Sequence, residues 1–454
     1  MIRSITEERQ AELKLLSEPG LFAITYDNLD FDFKTKEPND LNQGTFSSIT
    51  TGTYIPLAHG TMLDDIKYSK ELWDSSPLNP IGLSDSTPPV PPPRKYLIDS
   101  LHDIQKRVPS AEEWFIRKIL IDKHLSKRFS KQIGPMPSSL DIPITKTNQQ
   151  PAHAMHLKAS SNDDNISIIK NMERQVNTPA NWYKSYVRLC HGDLGTQERH
   201  DTTTESRAIE SSEKDRLQWL ITVPGAFHVH MACVDAIWRV HIHPKAQRDI
   251  KGGVFDLFKI LRPKDLSKLA LHPTYQMLNN GIHHLIESEI LVCWERVTGH
   301  SDINDFINGN PTWEQILSFS KAICDQYVAR SSFERNRFTS SDPRNIRDEN
   351  LMLFRRDGMW YCMLAHAMNT GRVGTMEDLL WLWVPMFQGC GKHKYATHIA
   401  KFLRDLRSIY PPRLSHVIHL HWLCNPTGTA EGFRGVDWLV ERNNLYTKVC
   451  GVFG

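Results

Sequence analysis

From about residue 250 to 410 the sequence carries one pattern, apolar residues three and four apart. That is the spacing of a helix that buries one face. TYQMLNNGIHHLIESEILVCWERV, TWEQILSFSKAICDQYVARSSF, ENLMLFRRDGMWYCMLAHAMNTG and MEDLLWLWVPMFQG all show it. Any sheet therefore has to come from outside this block. The strand candidates lie before it.

LFAITYDN (21–28) is a β-rich run, a first strand that ends on the acid Asp27. GTFSSITTGTYIPL (44–57) reads as one or two strands around a turn at Gly52. SYVRLCHGD (185–193) is a further strand, again ending on an acid. Residues 216–243 give a strand followed by a helix, and VDWLVERNNLYTKV (436–449) an amphipathic helix. Residues 5–17 suit a short helix stopped by Pro19-Gly20. Residues 96–132 read as amphipathic helix, with a Ser110–Glu113 capping box opening the second piece. The proline-rich stretch 75–94 is a polyproline-type spacer or a tail for a proline-recognising module. Residues 134–180 and 197–214 are polar with weak periodicity.

The 454 residues carry 54 Lys+Arg against 52 Asp+Glu, a net charge of +2. This excludes a strongly basic nucleic-acid coat and a polyacidic tail, but not a local basic groove. No apolar run is long enough for a membrane helix, and the charged N-terminus is not a secretory signal. The eight cysteines form no CxxC. They read as reduced, mostly buried thiols, which points to cytosol or nucleus.

Three acids stand out by position: Asp27, Asp193 and Glu441. Strand-end acids point into the crevice at a sheet edge. Carboxylates gathered there suit Mg²⁺ or Mn²⁺, and two such ions clamp the attacking and leaving oxygens of a phosphoryl displacement. The plainer readings are a turn cap for Asp27, a Gly-Asp turn for Asp193 and a solvated helix face for Glu441. The paired histidines His228/His230, His241/His243, His283/His284 and His416/His419/His421 would make a zinc site only if three imidazoles converge. GCGK (389–392) lacks the length of a P-loop and reads as a turn, as does NPTGT (425–429). Trp360, Trp381 and Trp383 read as core.

Several phrases resemble a family of uncharacterised fungal proteins that carry domain of unknown function 6589. They are YDNLDF (26–31), FSSITTGTYI (46–55), HGDLGTQER (191–199), PGAFHVHMACVDAIWRV (224–240), LRPKD (261–265), LFRRDGMW (353–360), MFQGCGKHKYATHI (386–399) and NPTGTAEGFRGVDWLVERNNLYTK (425–448). That family resembles transposase-derived proteins of ribonuclease-H-like fold. The resemblance implies an α/β fold, a mixed-sheet core interrupted by a large, mostly helical insertion. It divides the chain into first strands (1–57), polar loops with helices at 96–132 (58–180), a second part of the core (181–245), the insertion (250–410) and a return to the core (411–454). It implies an Asp on the first strand, a second after the fourth strand and a Glu on a helix beyond the insertion, in the order Asp27, Asp193, Glu441.

FSSITTGTYI would then supply the second and third strands. His228 would orient an acid or touch the scissile phosphate, or simply cap its helix, and Asp235 belongs to the same pattern. The chemistry implied is ancestral, Mg²⁺- or Mn²⁺-dependent cleavage or strand transfer on DNA, kept or lost in this chain, with Arg199, Lys264, Arg442 and Lys448 as phosphate contacts. GDLGT departs from the family's usual phrase after the second acid. The alternative is a non-catalytic protein that binds a protein partner through its helical block.

Overall fold

Two long strands set the sheet. In the computed structural model, which describes residues 11–13, 18, 20–33, 45–80, 93–330 and 345–453, β1 (Phe22–Phe33) and β2 (Thr45–Pro56) pair antiparallel along their whole length. Both are rich in Thr, Ile, Tyr and Phe, which fit a pleated, half-buried surface. β3 (Gln150–Pro151) adds to the free edge of β2. β4 (Arg188–Gly192) and β5 (Leu220–Pro224) extend the other side, parallel to β1. The order is β3-β2-β1-β4-β5. All five residues of β4 are buried, as expected where helices cover both faces of a parallel pair.

Before the third strand comes α1 (Pro93–Leu120), which runs on through a π-helical turn, Ile121–Leu125. α2 (Asn162–Gln175) and α3 (Leu194–Ser206) cover one face of the sheet. The Tyr54 hydroxyl donates to Met172 O on α2, and the Tyr26 hydroxyl meets Asn165 on α2 and His200 on α3. α4 (Ala226–Ile237) follows β5. The helical block holds α5 (Tyr275–Thr298), α6 (Trp313–Tyr327), α7 (Ile346–Asn369), α8 (Val373–Gly389) and α9 (His393–Ser408). Trp294, Trp381 and Trp383 are fully buried there, and half-buried Trp360 donates to Glu112. Lys394 and Lys401 of α9 pair with Glu198 and Asp201 of α3, which ties the block to the sheet layer. α10 (Pro412–His421) leads to the ribbon β6 (Leu423–Cys424) and β7 (Arg434–Gly435), and α11 (Val436–Phe453) returns to β1 and β2.

The protein is thus mixed α/β, mostly helical around one mixed five-stranded sheet. No helix among the described residues is long and apolar enough to cross a membrane. The Gly52 turn does not form. Gly52 sits inside β2 opposite Tyr26, and a Cβ there would lie 2.8 Å from Met172 Cε. The glycine lets α2 approach the sheet rather than bending the strand. The third strand comes instead from the polar stretch 134–180, which also supplies α2.

The polar run at 197–214 is largely α3. Its buried face carries Thr196, Gln197, His200 and Thr203, so no apolar period betrays it. The Ser110–Glu113 box opens no helix: Ser110 lies within α1, and its hydroxyl donates back to Arg107 O. Most of the helix expected at 5–17, and residues 81–92 of the proline-rich stretch, lie outside the described residues.

Candidate functional site

The register of β1 and β4 places two of the candidate acids side by side. Thr25 pairs with His191. Two residues further along each chain come Asp27 and Asp193: Asp27 lies in the middle of β1, which runs on to Phe33 rather than ending at the acid, and Asp193 lies just past the end of β4, as the N-cap of α3. Across β1 on the other side, Asp27 is paired with Thr51. The Thr51 hydroxyl donates to Asn444 Oδ1 at 2.6 Å, and Asn444 Nδ2 donates to Asn28 O at 3.3 Å. Asn444 thereby pins α11 over β1 and β2, with Glu441 one turn earlier on the same helix. Glu441 Oε1 lies 3.8 Å from His228 Nε2 on the first turn of α4. Asp27, Asp193, Glu441 and His228 share one crevice and feel one another's charge.

Burial raises the Asp27 carboxyl to about 6, with Glu441 and Asp193 adding to the rise and the Asn28 N–H and His228 opposing it. His228 moves the other way. Burial pulls its imidazole down, but the hydrogen bond to Asp437 and the charges of Asp437, Asp193 and Glu441 lift it to about 9. At neutral pH the shift favours the imidazolium form of His228.

Sequence reasoning missed Asp437. Its carboxylate accepts the backbone N–H groups of Phe227 (3.1 Å) and His228 (2.9 Å), and it lies 2.9 Å from His228 Nδ1. It caps α4 from another helix, where the N-cap residue Gly225 offers no side chain. Two glycines make its seat: a Cβ on Gly225 or on Gly435 would come within 2.4 Å of a carboxylate oxygen of Asp437. The only local signals were an N-cap without a side chain at Gly225 and an acid four residues before Glu441.

Asp193 also caps a helix. Its Oδ1 accepts the Thr196 N–H at 2.8 Å at the start of α3. Among the described residues, no three His, Cys, Asp or Glu side chains already stand as a ligand set around one point. The donor set of Asp27, Asp193 and Glu441 is nevertheless all hard oxygen, which suits Mg²⁺ or Mn²⁺. Carboxylates that raise one another's protonation, as Glu441 and Asp193 do for Asp27, also gain from a cation between them. Glu441, with 45% of its side chain exposed, has room to turn.

Of the basic candidates, Arg199 on α3 acts on Tyr26 beside Asp193. Arg442 on α11 stacks on Trp438 and Tyr446. Lys448 is exposed near the end of α11, and Lys264 is exposed on the short turn Pro263–Asp265 of the helical block. Asp235 pairs with Arg239 and Lys392 instead of joining the acids. The other histidines go to separate partners: His241 to Asp357, His419 to Glu377, and His421 to Val417 O and Ala58 N. GCGK lies at the turn between α8 and α9. In NPTGT, Asn425 Oδ1 accepts the Gly428 N–H.

One expected outcome follows from the Asp27 carboxyl. Because its folded value lies above its unfolded one, stability falls as pH rises from the ordinary carboxylate range through about 6. Asp27→Asn removes that penalty. In metal-free buffer at pH 7 it should stabilise the protein by about 1–2 kcal/mol, after allowance for partial exposure. Urea titration checks this, and a destabilised variant would mean that Asp27 is satisfied as an anion.

A family of unknown function (DUF6589) matches residues 90–451. No curated protein and no solved structure matches the chain.

Proposed function

The chain belongs to the family of unknown function DUF6589, and within it we propose a ribonuclease-H-like, transposase-derived protein whose chemistry is metal-dependent phosphodiester cleavage or strand transfer on DNA. The observation that carries this reading is the placement of the acids. Asp27 lies on the first strand, Asp193 follows the fourth, and Glu441 lies on a helix beyond a long helical block. That is the order in which such a fold presents its carboxylates.

Asp27, Asp193 and Glu441 are the residues that would hold Mg²⁺ or Mn²⁺. When bound, the ion supplies Lewis acidity at the phosphate and a more acidic attacking water. His228 is fixed by Asp437 through Nδ1, and its Nε2 is left on the Glu441 side. In the imidazolium form it offers that N–H to a phosphate oxygen. The Asp27 proton has to leave before the carboxylate can ligate, so metal affinity falls as pH drops through about 6. The seven described cysteines are unpaired thiols, six of them buried, which supports a reducing compartment, nucleus or cytosol.

The second reading, a non-catalytic protein that docks a partner on its helical block, calls for an uninterrupted apolar groove. A cleft of about 690 Å³ between α1 and that block instead sets Glu112, Arg330 and Arg356 among its apolar walls.

Calorimetric titration of Mn²⁺ and Mg²⁺ at pH 7.5 and pH 5 tests the first reading. The wild type should bind at the higher pH and much more weakly at the lower, and Asp193→Ala should abolish binding. A folded wild type that shows no binding overturns it.

A further inference from the structure

A second cavity, of about 620 Å³, opens beside the Asp437 junction, lined there by Phe227, Gly435 and Trp438. Phe227, Tyr275 and Trp438 line it, together with His230 and Arg434. Phe227 precedes His228 and Trp438 follows Asp437, so the cavity begins one residue away from the crevice on both helices. Its volume is that of a site for a nucleotide-sized ligand.

Its chemistry is specific. His230 is only 5% exposed, yet its Nε2 has no hydrogen-bond partner. The ring is held in place by stacking on Tyr361, with centroids 4.2 Å apart and planes 15° apart, and by Nδ1 at 3.2 Å from the Tyr275 hydroxyl. The rings that frame the cavity, Phe227, Tyr275 and Trp438, offer flat apolar faces to a planar ligand. Two lysines on the cavity wall are already paired, Lys118 with Asp122 and Lys123 with Glu287.

Leading away from the cavity along α11, Trp438, Arg442 and Tyr446 form a ladder at four-residue spacing. The Arg442 guanidinium lies 5.3 Å from the Trp438 ring and 5.6 Å from the Tyr446 ring, and Arg434 lies 5.9 Å from Trp438. Tyr446 and its neighbour Leu445 are each 60% exposed. Alternating aromatic and guanidinium planes make a sequence-tolerant platform for bases and their phosphates.

We infer that this cavity takes an unpaired nucleobase of a single-stranded nucleic-acid segment, and that the α11 ladder carries the neighbouring nucleotides past Glu441. The inference rests on the nuclease reading for what lies beside the bound strand, though not for the binding itself. A base inside a duplex hides its faces, so the site selects unpaired strands.

The test is binding of a short single-stranded oligonucleotide containing 2-aminopurine, in EDTA so that no cleavage intervenes. It is followed by anisotropy and by 2-aminopurine fluorescence, with the blunt duplex of the same sequence as control. The wild type should prefer the single strand and change its fluorescence. Trp438→Ala should weaken binding about five- to 150-fold, the ~1–3 kcal/mol that base–aromatic stacking is worth. Trp438→Phe should restore most of it, and unchanged melting temperatures show that both variants fold. Equal affinity for duplex and single strand, or an unchanged affinity in Trp438→Ala, overturns the inference. Metal binding by the wild type with no effect of Trp438→Ala removes the base site alone. Trp438-dependent binding in a protein that takes up no metal removes the nuclease reading and leaves the base site standing.

Discussion

Glu173→Ala is expected to cost about 3–5 kcal/mol of folding stability, because it leaves a buried guanidinium without its partner. Arg188 on β4 is completely buried and Glu173 on α2 is 2% exposed. Arg188 Nε donates to Glu173 Oε1 at 3.0 Å and Nη2 donates to Oε2 at 3.3 Å. Nη1 donates to Gly20 O and Phe22 O, at the entry to β1. The guanidinium also lies 3.5 Å from the centre of the Phe22 ring and 4.2 Å from that of Trp182. One cation thus joins β1, β4 and α2. Removal of both charges, as Glu173→Leu with Arg188→Met, should cost much less than the single change, because no unpaired charge remains. Denaturant titration of the two single variants and the double variant measures the coupling. A loss below about 1 kcal/mol in Glu173→Ala would mean that water reaches the pair.

Asp437→Ala should cost about 2–4 kcal/mol, combining loss of a helix cap with loss of the His228 partner. It also has a pH signature. The folded His228 value of about 9 lies above its ordinary one. Its contribution is therefore fully present below about pH 6.5 and is lost as pH rises through about 9. Wild-type stability should fall by about 1–3 kcal/mol across that window. In Asp437→Ala the hydrogen bond is gone and burial remains, so the decline should vanish. Urea titrations at pH 6.5 and 9 make the comparison. A variant that keeps the wild-type slope would place the titrating group elsewhere.

The positions of two acids beside the sheet strands were legible because each follows a β-rich run: Asp27 in FAITYDN and Asp193 after RLCHG. The helical block was legible from its period. The helices beside the strands were not. α2 buries Asn165 and Glu173, and α3 buries Gln197 and His200. These polar side chains are satisfied by particular partners, Tyr26 and Arg188 among them, and such pairings leave no mark on hydropathy. β3 is only two residues long, and its place is set by pairing with Thr53 and Tyr54. Asp437 acts on residues more than 200 positions earlier in the chain, so nothing near α4 announced it.

Asp437, Glu441 and Asn444 all ride on α11, and their partners lie on elements made far earlier, Thr51 being 393 residues away. Contacts of such sequence separation form late, since the loop they close must be ordered first. Docking of α11 is therefore expected to complete the crevice in one step, since all three residues arrive on the same helix. The same event read backwards has a consequence for how the fold opens. Detachment of that one helix would take Asp437 and Glu441 away from His228 while most of the molecule stayed folded, so amide exchange in α11 is expected to precede global unfolding.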